Sequence, residues 1–135
     1  MRIAAVDFGT KRVGLAIADP LRIFAQPEGT YSQDAAVQRL RKWHVDPGLE
    51  VVVVGWPLTE SGEESAATRR VHEYANRLRN ALPGAGIVPW DERWTSEEAK
   101  DRLRDLPKRK RNVDAVAAGI ILQEYLDERE RNTDV

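Results

Sequence analysis

Apolar positions along this chain follow two periods, and the switches between them outline the fold. Arg2-Ile3-Ala4-Ala5-Val6-Asp7 is apolar enough for a central strand and closes on an acid. Gly9-Thr10-Lys11 is a turn with a flexible first position, and Arg12 to Ala18 predicts a second strand. So short a connection makes the two antiparallel, because a parallel return needs a crossover. Asp19-Pro20 ends the hairpin, and Ile23-Phe24-Ala25 with Gly29-Thr30-Tyr31 marks a third strand or an irregular edge. From Gln33 to His44 the period becomes helical, with Ala36, Val37, Leu40 and Trp43 on one stripe. Leu49 to Val54 is a continuous, mostly β-branched run, the pattern of a strand covered on both faces. Glu64 to Leu82 predicts a long helix facing inward with Ala67, Val71, Ala75, Leu78 and Leu82, and Pro83-Gly84 stops it. A strand at 86–91 follows. Thr95 with Glu98 forms a capping-box pattern opening a helix to about Leu103, and Asn112 caps a last helix over 113–128.

A hairpin followed by alternating helix and strand predicts an α/β fold. Its mixed five-stranded sheet has antiparallel first strands, parallel later strands and helices on its flanks. Ligands of open α/β sheets bind beyond the carboxyl ends of the parallel strands. Asp7, Gly55 and Glu92 fall at such ends. With 135 residues, 41% of them hydrophobic and 32% charged, residues 1–135 are expected to form one globular domain. No apolar run approaches the ~20 residues of a membrane helix, and the early acid at position 7 is unlike a secretion signal. The chain has no cysteine, which excludes disulfides and zinc–thiolate sites; a cytoplasmic location is expected. The net charge of −1 hides a local block, Lys108-Arg109-Lys110-Arg111, that could serve as a nucleic-acid footprint.

Three acids stand where core elements end or begin: Asp7 closes the first strand, Glu92 follows the last, and Asp114 opens the final helix. An unpaired buried charge is costly, and a divalent cation is the natural compensation. Carboxylates with water and phosphate ligands suit Mg²⁺ or Mn²⁺, which points to metal-assisted phosphodiester chemistry. Each acid has a plainer reading. Asp7 could bond the turn amides near Gly9, Glu92 could pair with Arg93, and Asp114 could stabilise a helix dipole.

Four stretches together resemble the YqgF/RuvX family, whose fold is ribonuclease-H-like. They are Asp7-Phe8-Gly9-Thr10-Lys11-Arg12-Val13-Gly14-Leu15-Ala16; Val53-Val54-Gly55-Trp56-Pro57-Leu58 with Gly62; Asp91-Glu92-Arg93-Trp94-Thr95-Ser96-Glu97-Glu98-Ala99; and Asp114 to Gln123. They span nearly the whole chain, in order. The resemblance implies a nuclease that matures the 5′ end of pre-16S rRNA, in a family earlier named for Holliday junction resolution by likeness to RuvC. It also implies an acidic triad of Asp7, Glu92 and Asp114 as catalytic residues and metal ligands. Trp94 and Ser96 stand where Leu and Thr are more usual, and Trp56 is bulkier than expected, departures that bear on substrate preference.

A phosphodiester repels nucleophiles and has a poor leaving group, and two metals about 3.5–4 Å apart ease both problems. The expected arrangement has Asp7 bridging two Mg²⁺ or Mn²⁺ ions, with Glu92 on one and Asp114 on the other. Asp91 alternates to the opposite side of its strand from Glu92, and Asp19 is read as a turn residue at the far end of the sheet. Arg12, Arg93 and Lys108, Arg109, Lys110 and Arg111 are candidate phosphate contacts; an internal ion pair or a solvated loop is the alternative. Trp90 is expected in the core, while Trp56 and Trp94 are open between core and base stacking. His44 and His72 are expected to be exposed or to pack, not to act as a base.

Two rival functions remain from the sequence. Asp7-Phe8-Gly9-Thr10 with Gly14 also resembles the phosphate hairpin of actin-type and sugar kinases, but those need two domains. A non-catalytic nucleic-acid-binding factor would discard the acids. RNA is the preferred partner, with branched or single-stranded DNA second, because symmetric junction cutting needs a two-fold dimer. Monomer and homodimer are both open, and no membrane partner is expected.

Overall fold

The computed structural model describes residues 1–9, 11–56, 66–91 and 113–133. Five strands form one sheet: β1 (Arg2–Phe8), β2 (Val13–Ala18), β3 (Ala25–Tyr31), β4 (Leu49–Trp56) and β5 (Gly86–Asp91). Three helices complete the described fold: α1 (Gln33–Val45), α2 (Ala66–Ala81) and α3 (Val113–Thr133). The sheet order is β3-β2-β1-β4-β5. β1 pairs antiparallel with β2 and parallel with β4, β2 pairs antiparallel with β3, and β4 pairs parallel with β5. This is the mixed sheet the sequence predicts.

β3 runs straight through Pro27, a residue that interrupts the strand pattern in sequence. Proline lacks a ladder donor and is tolerated where one side of the strand is open. Pro27 in β3 and Pro89 in β5 sit on the two edges of the sheet. Gly29, with φ of +139°, and a register shift between Leu15 and Ala16 give β3 the irregularity expected of it. α1 starts at Ser32, whose hydroxyl accepts from the Ala35 amide at 3.1 Å. Ala36, Val37, Leu40 and Trp43 are all buried, as their spacing predicts.

The two faces of β1 separate two cores. Ala4 and Val6 pack with α1 and α2, alongside Val13, Leu15, Leu40, Val71, Tyr74 and Leu78. Ile3 and Ala5 pack with α3, through Ala16, Val53, Trp90, Ala118, Ile121 and Leu122. Trp90 is therefore a core residue, its ring edge-on to Tyr125 with centroids 5.6 Å apart. In α2, Thr68 and Tyr74 are buried besides the expected Val71, Ala75 and Leu78. α3 extends beyond the expected 128 to Thr133. At the opposite end of the sheet from Asp7, Asp19 Oδ1 accepts from the amides of Ile23 at 2.7 Å and Phe24 at 2.8 Å, which makes it the turn residue expected. The Phe24 amide, foremost, holds the Asp19 carboxyl below the usual carboxylate range. Arg22 reaches Glu50 at 2.6 Å and Arg129 reaches it at 3.5 Å, tying the tail of α3 to that end. Among the described residues no helix is long and apolar enough to cross a membrane.

Candidate active site

Alternation along β1 fixes which way the first acid faces. Ile3 and Ala5 lie in the α3 core, so the same period puts Asp7 on the α3 side of the sheet. Asp7 is half-buried at the strand's carboxyl end and is paired in register with Gly14 of β2. The neighbouring pairs Val6↔Val54 and Gly55↔Trp90 bring the ends of β1, β4 and β5 to one level. β1 and β5 are two strands apart, roughly 10 Å.

The path of α3 follows from two points of contact. Gln123 Oε1 accepts from the Ala25 amide at 3.0 Å, and Ala25 pairs with Ala18. A Cβ on Gly119 would lie 3.0 Å from Pro27 Cγ, and Pro27 pairs with Ala16, the partner of Ala5. Four helical residues rise roughly 6 Å, about the rise of two strand residues. One more such step takes α3 from Gly119 back to Ala115 and β1 from Ala5 on to Asp7. The first turn of α3, in which Asp114 lies, is thus level with the Asp7–Gly14 rung.

The hairpin after Asp7 is constrained by Gly9. A Cβ there would overlap the Arg12 carbonyl oxygen, which only an open turn could relieve. Gly9→Ala should cost roughly 1–3 kcal/mol and lower the thermal midpoint by several degrees. It should also displace Lys11 and Arg12, and thermal melts with cleavage rates on the same preparation check both. Arg12 is exposed beside this hairpin, placed to meet a ligand at the sheet's end.

Of the other sequence-predicted residues, Glu92, Arg93 and Lys108, Arg109, Lys110 and Arg111 lie outside the described residues, as do Trp94 and the side chains of Asp114 and Trp56. So does the helix expected from Thr95. Among the described residues no group of three or more acidic or histidine side chains gathers as a metal site. His72 is exposed, and His44 Nε2 lies 2.7 Å from the Pro83 carbonyl oxygen, beyond the end of α2.

Across the sheet from α3 lies a feature the sequence reading missed. Phe8, one residue beyond Asp7 and facing the other way, borders a cleft of about 580 Å³ between the hairpin and the α1–α2 pair. Its wall on α2 carries Arg70, Glu73, Tyr74 and Arg77, and Lys11 overhangs it. The 70, 73/74, 77 spacing is one helical face, which is the signal that could have revealed it. The Tyr74 hydroxyl donates to the Gln33 carbonyl oxygen at 2.9 Å, and burial pushes its pKa up to about 12, so it stays a donor at physiological pH.

The chain is similar to curated proteins over most of its length and to solved structures in fold. A family model described as "RuvX: Holliday junction resolvase" matches residues 1–128. A protein of Salinibacter ruber named "Putative pre-16S rRNA nuclease" is 49% identical over 132 residues, covering 93% of this chain and 92% of the relative. A protein of the same name from Chlorobaculum tepidum is 42% identical over 132 residues, covering 93% of each. Among solved structures, Thermus thermophilus RuvC in complex with a Holliday junction substrate superimposes with a TM-score of 0.65 at 14% identity, covering 96% of both chains. A second structure of Thermus thermophilus RuvC gives 0.60 at 14% identity, covering 97% of both. The architecture is therefore the ribonuclease-H-like one.

Proposed function

The chain belongs to the RuvX family, and from that premise we propose that it is a divalent-metal-dependent nuclease that hydrolyses phosphodiester bonds in the 5′-end maturation of pre-16S rRNA in the cytoplasm. The observation that carries this reading is the level shared by Asp7 and the first turn of α3 on one face of the sheet. The relatives named as pre-16S rRNA nucleases support RNA as the substrate.

Asp7, Glu92 and Asp114 would hold Mg²⁺ or Mn²⁺. All three offer hard carboxylate oxygens, and Asp7 is half-buried yet at the open end of the sheet, which suits an ion that keeps waters and meets a phosphate. Glu92 is taken as the third ligand over Asp91 on the sequence alternation that follows Trp90, which is buried on the α3 side. Bound ions, two in this proposal, supply an activated water and charge stabilisation for the leaving oxygen. The protein's own share is placement. The three acids fix where the scissile phosphate is presented, while Arg12, Arg93 and Lys108, Arg109, Lys110 and Arg111 neutralise neighbouring phosphates and so orient the strand.

Two measurements test this. Side-by-side cleavage of a pre-rRNA leader, single-stranded DNA and a four-way junction, with Mn²⁺ and with a chelator, should favour the leader and stop with the chelator. Preferred cutting of the junction would transfer the function to junction resolution, and no cutting of any would leave a binding factor. Independently of activity, Mn²⁺ at about a hundred times its Kd should stabilise the protein by about 2.7 kcal/mol. That gain should vanish in a chain carrying Asp7→Asn and Asp114→Asn; a thermal shift unchanged by the substitutions would refute the site.

A further inference from the structure

We propose that the cleft between Phe8, the Lys11 hairpin and α2 is a second binding site, taking one nucleotide of the substrate strand outside the scissile position. The proposal rests on the nuclease reading above but concerns a separate face of the molecule. Three cations line the cleft, Lys11, Arg70 and Arg77, against one carboxylate, Glu73. Arg77 is held by Asp34 at 2.6 Å. Lys11 and Arg70 have no such carboxylate partner among the described residues, and both are exposed. Two unmatched cations converging on a concave surface are an anion site in search of a ligand.

The rest of the lining narrows the anion to a nucleotide. Phe8 is half-buried, and its ring, backed by the buried Tyr74 ring 5.0 Å away at 44°, gives the cleft an aromatic side against which a base can rest. Gln33 adds an amide and Glu73 a carboxylate to the lining, groups that suit sugar and base edges. Glu73 also limits the cleft to a single phosphate, because a second would meet its charge. The volume of about 580 Å³ suits one nucleotide and is too small for a duplex end.

Position makes the ligand part of a strand and not a free nucleotide. Phe8 follows Asp7 in β1 and faces the opposite side, so the cleft opens at the same rim of the sheet as the acid. A single strand crossing the ends of β1 and β4 would place one phosphate by Asp7 and a neighbouring nucleotide over the rim. Lys11, at the tip of the hairpin, stands between the two. The cleft would hold substrate in register while the acids work, a positioning role.

The experiment uses the full chain carrying Asp7→Asn, which prevents cutting, and a fluorescently labelled single-stranded RNA of about ten nucleotides. Anisotropy titrations over a salt series compare Lys11→Gln/Arg70→Gln with Arg41→Gln/Lys42→Gln, which removes the same charge from the exposed far end of α1. The cleft pair should weaken binding about tenfold or more and reduce the slope of log K against log salt by about 0.7, the loss for the one phosphate contact the cleft makes on a single strand. The α1 pair should change neither much. Equal losses in both pairs, or none in the cleft pair, would overturn the proposal. Competition by free ATP as strong as by the oligonucleotide would overturn it as well, by making the site one for a free nucleotide. Since binding is read in an inactive chain, these outcomes stand apart from whether the parent chain cleaves RNA.

Discussion

Asp7→Asn should abolish cleavage and spare the fold. The expected loss in single-turnover rate is about a thousandfold or more, about 4 kcal/mol of transition-state stabilisation. The size follows from the place of the residue. Asp7 is on β1, the middle strand of the sheet, at its carboxyl end, and faces the helix that carries Asp114. On the proposed site, removing one negative oxygen there would weaken both the hold on cations and the alignment of the phosphate they bind. Asparagine keeps the shape and one acceptor oxygen, and the side chain is only half-buried, so the apolar cores on either side are untouched. The thermal midpoint in chelator should match the parent chain, whereas the gain on adding Mn²⁺ should be lost. Rapid-quench cleavage and thermal melts with and without Mn²⁺ check the two halves. Parental rates in the Asn variant would remove Asp7 from the chemistry altogether.

That Asp7 could be singled out from sequence has a physical basis, and so do the features that could not. β1, β2 and β4 are legible because an interior strand must be apolar where it is covered, and the run Val51 to Val54 carries that pattern most plainly. α1 is legible because its stripe is narrow and complete. β3 is not, since an edge strand needs neither alternation nor a full ladder, and Pro27 and Gly29 erase both. The end of α3 at Thr133 is hidden by a run of Glu and Arg that carries no apolar stripe, though Arg129 pairs with Glu50 and ties it down. The same limit hides the cleft. Arg70, Glu73 and Arg77 have the look of a solvated helix face until α1 and the hairpin are set against them. Charge on a helix says little about function; its convergence with a second element says more, and convergence is a tertiary property.

Ala5→Leu should disable the enzyme from within the core. Ala5 lies two residues before Asp7 on the same side of β1, paired with Ala16 on one flank and Val53 on the other. The surface of α3 above it is built from small residues, with Ala115, Ala118 and Gly119 all buried. The helix therefore runs close to the sheet, close enough that a Cβ at Gly119 would already press on Pro27. Three added carbons at Ala5 have no room. They should cost roughly 1–3 kcal/mol and lift the first half of α3. That is the half carrying Asp114, while Gln123, bonded to Ile23 and Ala25, anchors the other. A displacement near 1 Å between groups that must act together costs about a hundredfold in rate. Ala36→Leu supplies the comparison: it crowds the opposite core, where α1 packs, by the same volume. Both variants should melt earlier, but below their melting points only Ala5→Leu should lose cleavage and the Mn²⁺-induced gain in stability. If the two retain equal activity per folded molecule, the spacing between β1 and α3 does not set the site, and the first turn of that helix has no part in it.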